Sequence, residues 1–193
     1  MNICVYGAAS NEIDKKYIEL GEKLGEEIAK RGHGLVFGAG GSGMMGALAR
    51  GVHRYGGKII GVVPTFFNVD GILFDNCTEL IRTETMRERK QTMEDLSDAF
   101  IMTPGGIGTF EEFFEILTLK QLGRHEKAIV NYDINGYFDP IIDMLNKAIE
   151  EKFMTSASKE LFYSTTDMND VLNYIENYNP KPFNLLEMRK IEL

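Results

Sequence analysis

The segment that decides the fold runs from Asp98 to Gly123 and reads DAFIMTPGGIGTFEEFFEILTLKQLG. Its apolar residues 99–102 are typical of a strand that is buried on both faces of a parallel sheet. The Pro-Gly-Gly turn at residues 104–106 lets the chain reverse sharply, and a helix is predicted to open at Gly108-Thr109. The first amide groups of a helix have no partners within it, and its amino end carries a partial positive charge. The segment therefore predicts an anion-binding site above the strand.

Glu111 and Glu112 follow at once, in what the pattern predicts to be the first turn of this helix. Thr109 and Glu112 have the spacing of a capping box, in which each side chain binds the other residue's amide group and no chemistry is implied. Apolar residues nevertheless cover most of the helix, which indicates burial on more than one side; these are Phe110, Phe113, Phe114, Ile116, Leu117 and Leu119. Burial can tune the pKa of a carboxyl group near such a surface. The residue pattern alone leaves Glu112 open between a cap and a catalytic group.

Strands and helices alternate along the rest of the chain. Strands are predicted at residues 2–6, 35–37, 59–63, 99–102, 128–132 and 161–163, with a weaker indication at 78–81. Further helices are predicted at residues 14–31, 44–55, 86–97, 137–151 and 167–178. This alternation indicates an α/β fold, a single doubly wound domain over residues 1–179 whose parallel sheet is flanked by helices, with a C-terminal tail at 180–193. In such sheets ligands bind beyond the carboxyl ends of the strands, where the loops at 7–11, 38–43 and 104–109 would meet.

The composition limits the classes of partner. The 193 residues carry 21 Lys and Arg against 29 Asp and Glu, a net charge of −8. This balance argues against a nucleic-acid partner, because binding the phosphate backbone needs a dense cationic face. No apolar stretch is long enough to span a bilayer, so no membrane partner is expected. Cys4 and Cys77 are too few for a disulfide framework, and we expect a cytoplasmic location.

A second glycine-rich loop occupies residues 38–43. Gly38, Gly40 and Gly43 match the G-x-G-x-x-G pattern between a strand and a helix. A dinucleotide site would also need an acidic residue at the end of the next strand, and residues 62–65 are Val-Val-Pro-Thr. We therefore predict a phosphate or ribose-phosphate site in preference to an NAD site. The alternative for Gly46 is a packing role, in which the missing side chain permits a tight crossing of strand and helix.

Other common chemistries lack their residues. His33, His53 and His125 do not have metal-ligand spacing, so no metal is expected. No G-x-S-x-G motif and no Cys/His pairing suggests a covalent nucleophile. The Lys-Ser/Thr pair of a P-loop is also missing, which disfavours phosphotransfer.

The helix predicted from Met86 carries two cations on its apolar side. Met86, Met93 and Leu96 mark that side, and Arg89 and Lys90 lie between them at helical spacing. Either cation could instead extend to solvent along its aliphatic stem. The guanidinium of Arg89 would lie near the Pro-Gly-Gly edge of the sheet and could form paired hydrogen bonds with a phosphate. We predict a functional role for Arg89 and leave that of Lys90 open.

Three motifs combine in this chain: Met86-x-x-Arg89-Lys90, Ser-Asp-Ala-Phe at 97–100 and PGGIGTFEE at 104–112. Together they resemble the LOG family of cytokinin riboside 5′-monophosphate phosphoribohydrolases, and the resemblance extends over residues 4–153. It implies a Rossmann-like fold and hydrolysis of the N-glycosidic bond of a nucleoside 5′-monophosphate, such as AMP or a cytokinin riboside 5′-monophosphate. It also implies a homodimer with the active site near the subunit interface. The resemblance implies neither a metal nor a cofactor. Relatives have been called lysine decarboxylases, a name that would imply a pyridoxal cofactor, but nothing in the sequence suggests a pyridoxal site.

The resemblance also implies roles for individual residues. Arg89 and Glu112 match the catalytic pair, and Lys90 and Thr118 match substrate contacts. Further substrate contacts are expected along the turn and the start of its helix and in the other two loops, at Gly105, Gly106, Ile107, Gly108, Thr109, Phe110, Glu111, Gly41, Ser42, Gly43 and Ser10. The chain departs from the family pattern in two places, the glycine loop GAGGSGMMG at 38–46 and Gly71, which stands beside Asp70 where the family often has an acid. The identity of the base stays open for that reason.

These residues are consistent with glycosidic cleavage. Breaking a ribosyl bond builds positive charge on the sugar, which an ionised carboxylate stabilises. We expect Glu112 to supply that carboxylate or to activate water, Arg89 to bind substrate and help the base depart, and the glycine loops and the helix terminus to hold the 5′-phosphate. The alternative function is a nucleotide-binding protein that senses its ligand without cleaving it.

Overall fold

The computed structural model describes residues 1–67 and 71–180, which form a sheet covered by helices on both faces. Its strands are β1 (Asn2–Tyr6), β2 (Gly34–Phe37), β3 (Ile59–Pro64), β4 (Glu79–Thr83), β5 (Ala99–Met102), β6 (Ala128–Tyr132) and β7 (Tyr163–Thr165). The strand order is β4-β3-β2-β1-β5-β6-β7, and every neighbouring pair is parallel. The predicted α/β doubly wound fold is confirmed, and the weak indication at residues 78–81 corresponds to β4.

Helices form a layer on each side of the sheet. They are α1 (Lys15–Lys30), α2 (Gly43–Arg54), α3 (Met86–Asp95), α4 (Ile107–Gln121), α5 (Asp139–Glu150) and α6 (Met168–Glu176), with 3₁₀ turns at Ile134–Gly136 and Ser156–Glu160. Successive side chains of a strand point to opposite faces. In β1, Ile3 and Val5 therefore pack with α1, α2 and α6, whereas Cys4 and Tyr6 pack with α3 and α4. Burial on both faces explains why the strands read as uninterrupted apolar runs.

The chain changes direction across the sheet between β1 and β5. The first four strands are laid down outward from β1, and the chain then returns to place β5 on the other side of β1. The loops that follow β1 and β5 therefore diverge and leave a crevice, the usual ligand position in an open α/β sheet. One hydrogen bond joins these loops, from the amide of Ala8 to the carbonyl of Pro104 at 3.2 Å.

Helix α4 begins at Ile107, one residue before the predicted start at Gly108, and the capping-box alternative for Thr109 and Glu112 is wrong. Its N-cap is Gly106 in an extended conformation, with no side-chain capping hydrogen bond. Thr109 is instead inside the helix and packs on Gly105, where an added Cβ would lie 2.1 Å from the Thr109 hydroxyl oxygen. Glu112 consequently lies in the second turn, which frees its carboxylate for contacts outside the helix.

The carboxyl-terminal elements differ from the prediction by a few residues. Leu161 is buried in the core at 1% exposure, and the last strand begins two residues after it, at Tyr163. From residue 181 onward the predicted tail lies outside the described residues, as does Asp70. No helix within residues 1–67 and 71–180 has both the length and the apolar character needed to cross a membrane.

Candidate active site

A cavity of about 360 Å³ opens at the carboxyl edge of the sheet, above the crevice between β1 and β5. Five glycines after β1, β2 and β5 contribute to its lining, Gly7, Gly38, Gly40, Gly106 and Gly108. Four polar side chains face it, those of Ser42, Arg89, Thr109 and Glu112. The remaining wall is apolar and includes Met45, Val63, Pro64, Phe67, Ile72, Leu73 and Met86. This combination of an apolar pocket and a few convergent polar groups is typical of a small-molecule site.

The predicted catalytic residues form an ion pair in this cavity. Nη1 of Arg89 lies 3.1 Å from Oε1 of Glu112, and both side chains are nearly buried, at 12% and 11% exposure. The Nε of Arg89 also donates to the carbonyl oxygen of Val62 at 3.2 Å. The guanidinium is thus fixed at two points, by the end of β3 and by the middle of α4.

Gly38 makes room for that guanidinium. A Cβ added at this glycine would lie 2.0 Å from Nη2 of Arg89, far inside contact distance. Sequence reasoning connected Gly38 with phosphate binding through its motif. Its close approach to Arg89 could not be read from the sequence, because the two residues are distant in the chain.

Burial raises the pKa of Glu112 from 4.5 to about 7. The positive charge of Arg89 opposes this effect and the nearby carboxylate of Glu111 adds to it, but the loss of solvent is the larger influence. At neutral pH both protonation states of Glu112 are therefore populated. A group of this kind can accept a proton and release it again near neutrality.

The amino end of α4 supplies the anion-binding side of the cavity. Gly106 and Gly108 are exposed there, and a Cβ added to either would meet no atom within 4 Å. The first amide groups of the helix have no intrahelical acceptors, so they can donate to a bound anion. Thr109 is 4% exposed and lines the same side. An anionic group can thus approach the backbone closely at this end.

Two amide groups of the glycine loop at 38–43 are occupied. The amide of Gly41 donates to the carbonyl of Ile72 at 2.8 Å, and that of Gly43 donates to Oδ1 of Asn11 at 2.9 Å. In the first turn of α2, the amide of Met45 donates to the carbonyl of Ala8 at 3.1 Å. This loop therefore shapes the cavity wall, and Ser42, whose side chain forms no capping hydrogen bond, is the polar group it presents.

Gly46 has the packing role that the sequence left open. An added Cβ would lie 2.0 Å from the carbonyl oxygen of Gly41. The glycine therefore permits α2 to pack tightly against the loop that precedes it.

Several residues implied as substrate contacts lie outside the cavity lining. Lys90 forms ion pairs with Glu111 and with Glu115, the latter at 2.7 Å. The hydroxyl of Thr118 donates to the carbonyl of Phe114 on an exposed part of α4. Seven more are also absent from the lining, namely Ser10, Gly41, Gly43, Gly105, Ile107, Phe110 and Glu111. Their contact with substrate stays a prediction.

The apolar wall is the part that sequence reasoning missed. Phe67, Ile72 and Leu73 come from the irregular segment after β3, which carries no motif. An isolated antiparallel bridge between Gly40 and Leu73 fastens that segment to the glycine loop. The signal available in the sequence was the apolar content of this loop, at Phe66-Phe67 and Ile72-Leu73-Phe74. Nowhere in the described part of the chain do three or more His, Cys, Asp or Glu side chains gather as metal ligands.

Comparison with known proteins agrees with the motifs. A family model described as "Possible lysine decarboxylase" matches residues 45–175. A cytokinin riboside 5′-monophosphate phosphoribohydrolase of Arabidopsis thaliana is 33% identical over 179 residues, 93% of this chain and 84% of the relative. A probable cytokinin riboside 5′-monophosphate phosphoribohydrolase of Oryza sativa subsp. japonica is 34% identical over 178 residues, 92% of this chain and 78% of the relative.

Solved structures share the fold at lower identity. The molybdenum cofactor carrier protein of Chlamydomonas reinhardtii has a TM-score of 0.68 at 20% identity, over 91% of this chain and 95% of that chain. The molybdenum cofactor binding protein of Rippkaea orientalis has a TM-score of 0.64 at 18% identity, over 91% of this chain and 93% of that chain. At this identity the likeness concerns architecture alone. The sequence matches, which span most of the chain and include the PGGIGTFEE segment, show that this protein belongs to the LOG family of cytokinin riboside 5′-monophosphate phosphoribohydrolases.

Proposed function

We propose that this protein hydrolyses the N-glycosidic bond of a nucleoside 5′-monophosphate, AMP or a cytokinin riboside 5′-monophosphate, to give the free base and ribose 5-phosphate. The observation that carries the proposal is that a buried Arg89–Glu112 pair and the amino end of α4 face one cavity. The first arrangement suits cleavage of a sugar bond, and the second suits a phosphate. The relatives are named phosphoribohydrolases, which supports a substrate that has both a sugar bond and a phosphate.

The 5′-phosphate would bind at the amino end of α4. The open space beside Gly106 and Gly108 admits its oxygens to the backbone amide groups, and the helix dipole favours its negative charge. Binding energy from the phosphate, which does not react, would orient the sugar toward Glu112.

Glu112 would act on the sugar carbon in its ionised form. As the C1′–N bond breaks, its electron pair leaves with the base and the ribose gains positive charge, which the carboxylate stabilises. The oxygen of a water molecule then bonds to C1′, and its proton passes to Glu112 and on to the departing base. The guanidinium of Arg89 would hold Glu112 in place and bind the substrate.

The base would lie against the apolar wall. Phe67, Met45 and Met86 present flat or flexible apolar surface there, which suits the face of a purine. This wall supports a purine nucleotide as the substrate class, with AMP and its N6-substituted cytokinin counterparts as the members to compare.

The test is direct incubation with AMP and with isopentenyladenosine monophosphate, followed by chromatography of base and ribose 5-phosphate. We expect product from the native protein and a loss of at least about a hundredfold in the Glu112→Gln variant. Glu19→Gln, an exposed acid on α1, is the matched control. Near-native turnover by Glu112→Gln would refute the role of this residue.

The same experiment separates catalysis from sensing. A sensor would bind AMP, measured by calorimetry, and release no adenine on prolonged incubation. That result would replace the hydrolase proposal with the nucleotide-sensing alternative, while the assignment of the phosphate site would stand.

We further propose that the protein is a homodimer. Helix α4 and its C-cap residue leave apolar side chains exposed along one outer side, with Ile107 at 87%, Phe114 at 41% and Leu122 at 45% exposure. The spacing of these residues places them on one face of the helix. Since the stripe starts at the amino end of α4, a second copy packed on it would border the phosphate site. On α5, Met144 is a further exposed apolar side chain, at 67%.

A further inference from the structure

The turn between β5 and α4 is fastened by a tyrosine from a distant part of the chain. Oη of Tyr137 donates a hydrogen bond to the carbonyl oxygen of Gly105 at 2.5 Å. The ring of Tyr137 stacks on Phe110 of α4, with centroids 6.4 Å apart and planes inclined by 26°. One side chain thus contacts both the turn and the first part of the helix that it starts.

Tyr137 is itself held firmly. It follows the 3₁₀ turn Ile134–Gly136, and the next residue, Phe138, is fully buried. The amide of Phe138 donates to Oδ1 of Asp133 at 2.9 Å, and Asp133 is 5% exposed. The hydroxyl group is therefore presented to the turn from a fixed support.

The turn needs such a support because the peptide group between Gly105 and Gly106 has a glycine on each side. Without a Cβ at either position, few steric contacts oppose rotation of this peptide plane. Gly106 in particular has no atom within 4 Å of the place where a Cβ would be. Only the Gly105 side is restricted, by the side chain of Thr109. A rotated plane would turn the carbonyl oxygen of Gly105 toward the site of a bound anion.

The hydrogen bond of Tyr137 fixes which way that plane faces. In a planar trans peptide the carbonyl and the following N–H point in opposite directions. A carbonyl of Gly105 directed at Tyr137 therefore directs the N–H of Gly106 away from Tyr137. Gly106 lines the cavity and Tyr137 does not, so this orientation sends the N–H toward the cavity side.

We propose that Tyr137 is a positioning residue for the anion site, one that locks the Gly105–Gly106 peptide so that its N–H, and not its C=O, faces the phosphate. This inference rests on the proposed binding of a 5′-phosphate at the amino end of α4. It gives the phosphate site a component that no glycine motif contains. The tyrosine acts on the substrate only through the backbone it holds.

The first test examines the lock without any ligand. In the Tyr137→Phe variant we expect the ¹⁵N–¹H resonance of Gly106 to broaden or split and its amide hydrogen exchange to accelerate, while core amides stay unchanged. Tyr17→Phe is the matched control, since the ring of Tyr17 packs edge-on against that of Tyr137 with centroids 6.5 Å apart. An unchanged Gly106 resonance in Tyr137→Phe would overturn the proposal.

The second test asks whether the lock serves the phosphate. In a Glu112→Gln background, which prevents turnover, calorimetry compares AMP with adenosine. Removing the hydroxyl of Tyr137 is expected to weaken AMP binding about five- to tenfold and to leave adenosine binding unchanged. The reason is that only AMP has a phosphate to contact the N–H of Gly106. Equal losses for both ligands, or no loss for AMP, would refute a positioning role.

These measurements separate the two proposals. A native protein that binds AMP without cleaving it would refute the hydrolase and leave the comparison of AMP with adenosine intact. A native protein that binds the two equally would refute the phosphate site and this inference together. A native preference for AMP that survives in Tyr137→Phe would refute this inference alone.

Discussion

The state of one carboxyl group sets the pH response of the proposed reaction. Burial raises the pKa of Glu112 to about 7, so the ionised form accumulates as the pH rises through neutrality. If the ionised form stabilises the sugar cation, kcat/KM should rise with pH by up to about tenfold per unit below pH 7 and level off above it. Measurement between pH 6 and 9 with AMP checks this. A profile that falls across the same range would make Glu112 a general acid instead.

The same residue should make stability depend on pH. The folded state binds the proton of Glu112 more tightly than the unfolded chain does, so protonated Glu112 stabilises the fold below about pH 4.5, and that contribution is lost as the pH rises through about 7. Glu112→Gln keeps an uncharged side chain at every pH. We therefore expect its free energy of unfolding to exceed the native value by up to about 3 kcal/mol at pH 8 and by little near pH 4.5.

Urea unfolding at both pH values measures that difference, with Glu19→Gln as the exposed control. A variant that is less stable than the native protein at pH 8 would show that the ion pair with Arg89 outweighs the cost of burying the charge.

A substitution at Gly38 would displace the side chain of Arg89 without changing that residue itself. A methyl group at this position would lie 2.0 Å from Nη2, and the atom that must move is the end of a flexible side chain. Gly38→Ala should therefore fold, with little change in melting temperature, and lose activity at least about tenfold because the guanidinium leaves Glu112. Turnover assays and thermal unfolding check the two parts. Retained turnover would show that the position of Arg89 is not critical.

For single residues, the sequence identified the catalytic candidates but not the residues that hold the site in place. Arg89 and Glu112 stand in recognisable motifs, and the structure pairs them in the cavity. The contact of Gly38 with Arg89 and that of Tyr137 with Gly105 join segments distant in the chain, and neither leaves a local pattern. Only the folded chain brings such supports together.

Helices α3 and α4 are joined by neighbouring ion pairs. Arg89 reaches Glu112, and the adjacent Lys90 reaches Glu111 and Glu115, whose carboxylates are 52% and 40% exposed. Such exposed partners contribute at most about 1 kcal/mol to stability. We expect Lys90→Met to lower kcat/KM severalfold because the spacing of the two helices, and hence of Arg89 and Glu112, loosens.

A charge exchange distinguishes the role of Lys90 in joining α3 to α4 from the substrate contact that the resemblance implies for it. The double variant Lys90→Glu/Glu115→Lys should recover most of the activity lost in Lys90→Glu alone, as steady-state kinetics would show. A double variant as impaired as the single one would favour direct contact of Lys90 with substrate.

The existence of helices and strands could be predicted from the periodicity of their apolar residues, but the residues at which they begin and end were harder to predict. The existence of α4 follows from its apolar spacing, but its start depends on the conformation of Gly106, which no pattern reports. The glycine motif at 38–43 correctly marks a strand–loop–helix junction. Two of its amides nonetheless donate to Asn11 and Ile72, and a motif does not reveal which amide groups stay open.

For the whole molecule, the outer side of α4 predicts association. We expect light scattering after gel filtration to give twice the 21.8 kDa chain mass, because the apolar stripe through Phe114 would be buried in a dimer. Phe114→Glu should produce monomers. Tyr55→Glu is the matched control, since Tyr55 is 49% exposed at the end of α2, in the opposite layer. A native protein that elutes as a monomer would refute the dimer.

The overall architecture was the most predictable feature, because uninterrupted apolar strands alternating with amphipathic helices admit few arrangements. The apolar wall of the cavity was the least predictable. It comes from the irregular segment after β3, where no repeat constrains the chain.

The amides of Gly43 and Met45 at the start of α2 are bonded within the protein, which limits how much negative charge the cavity can neutralise. Among the described residues that line it, one open helix terminus and one guanidinium face the ligand, and part of the guanidinium charge is already offset by Glu112. A helix terminus counts as about half an elementary charge, and a phosphate monoester carries about −1.5 to −2 at neutral pH. The negative charge of one monoester already exceeds the positive charge that the helix terminus and the guanidinium supply together. A pyrophosphate would add negative charge that the helix terminus and the guanidinium do not offset, so we expect dinucleotides to compete poorly with a monophosphate.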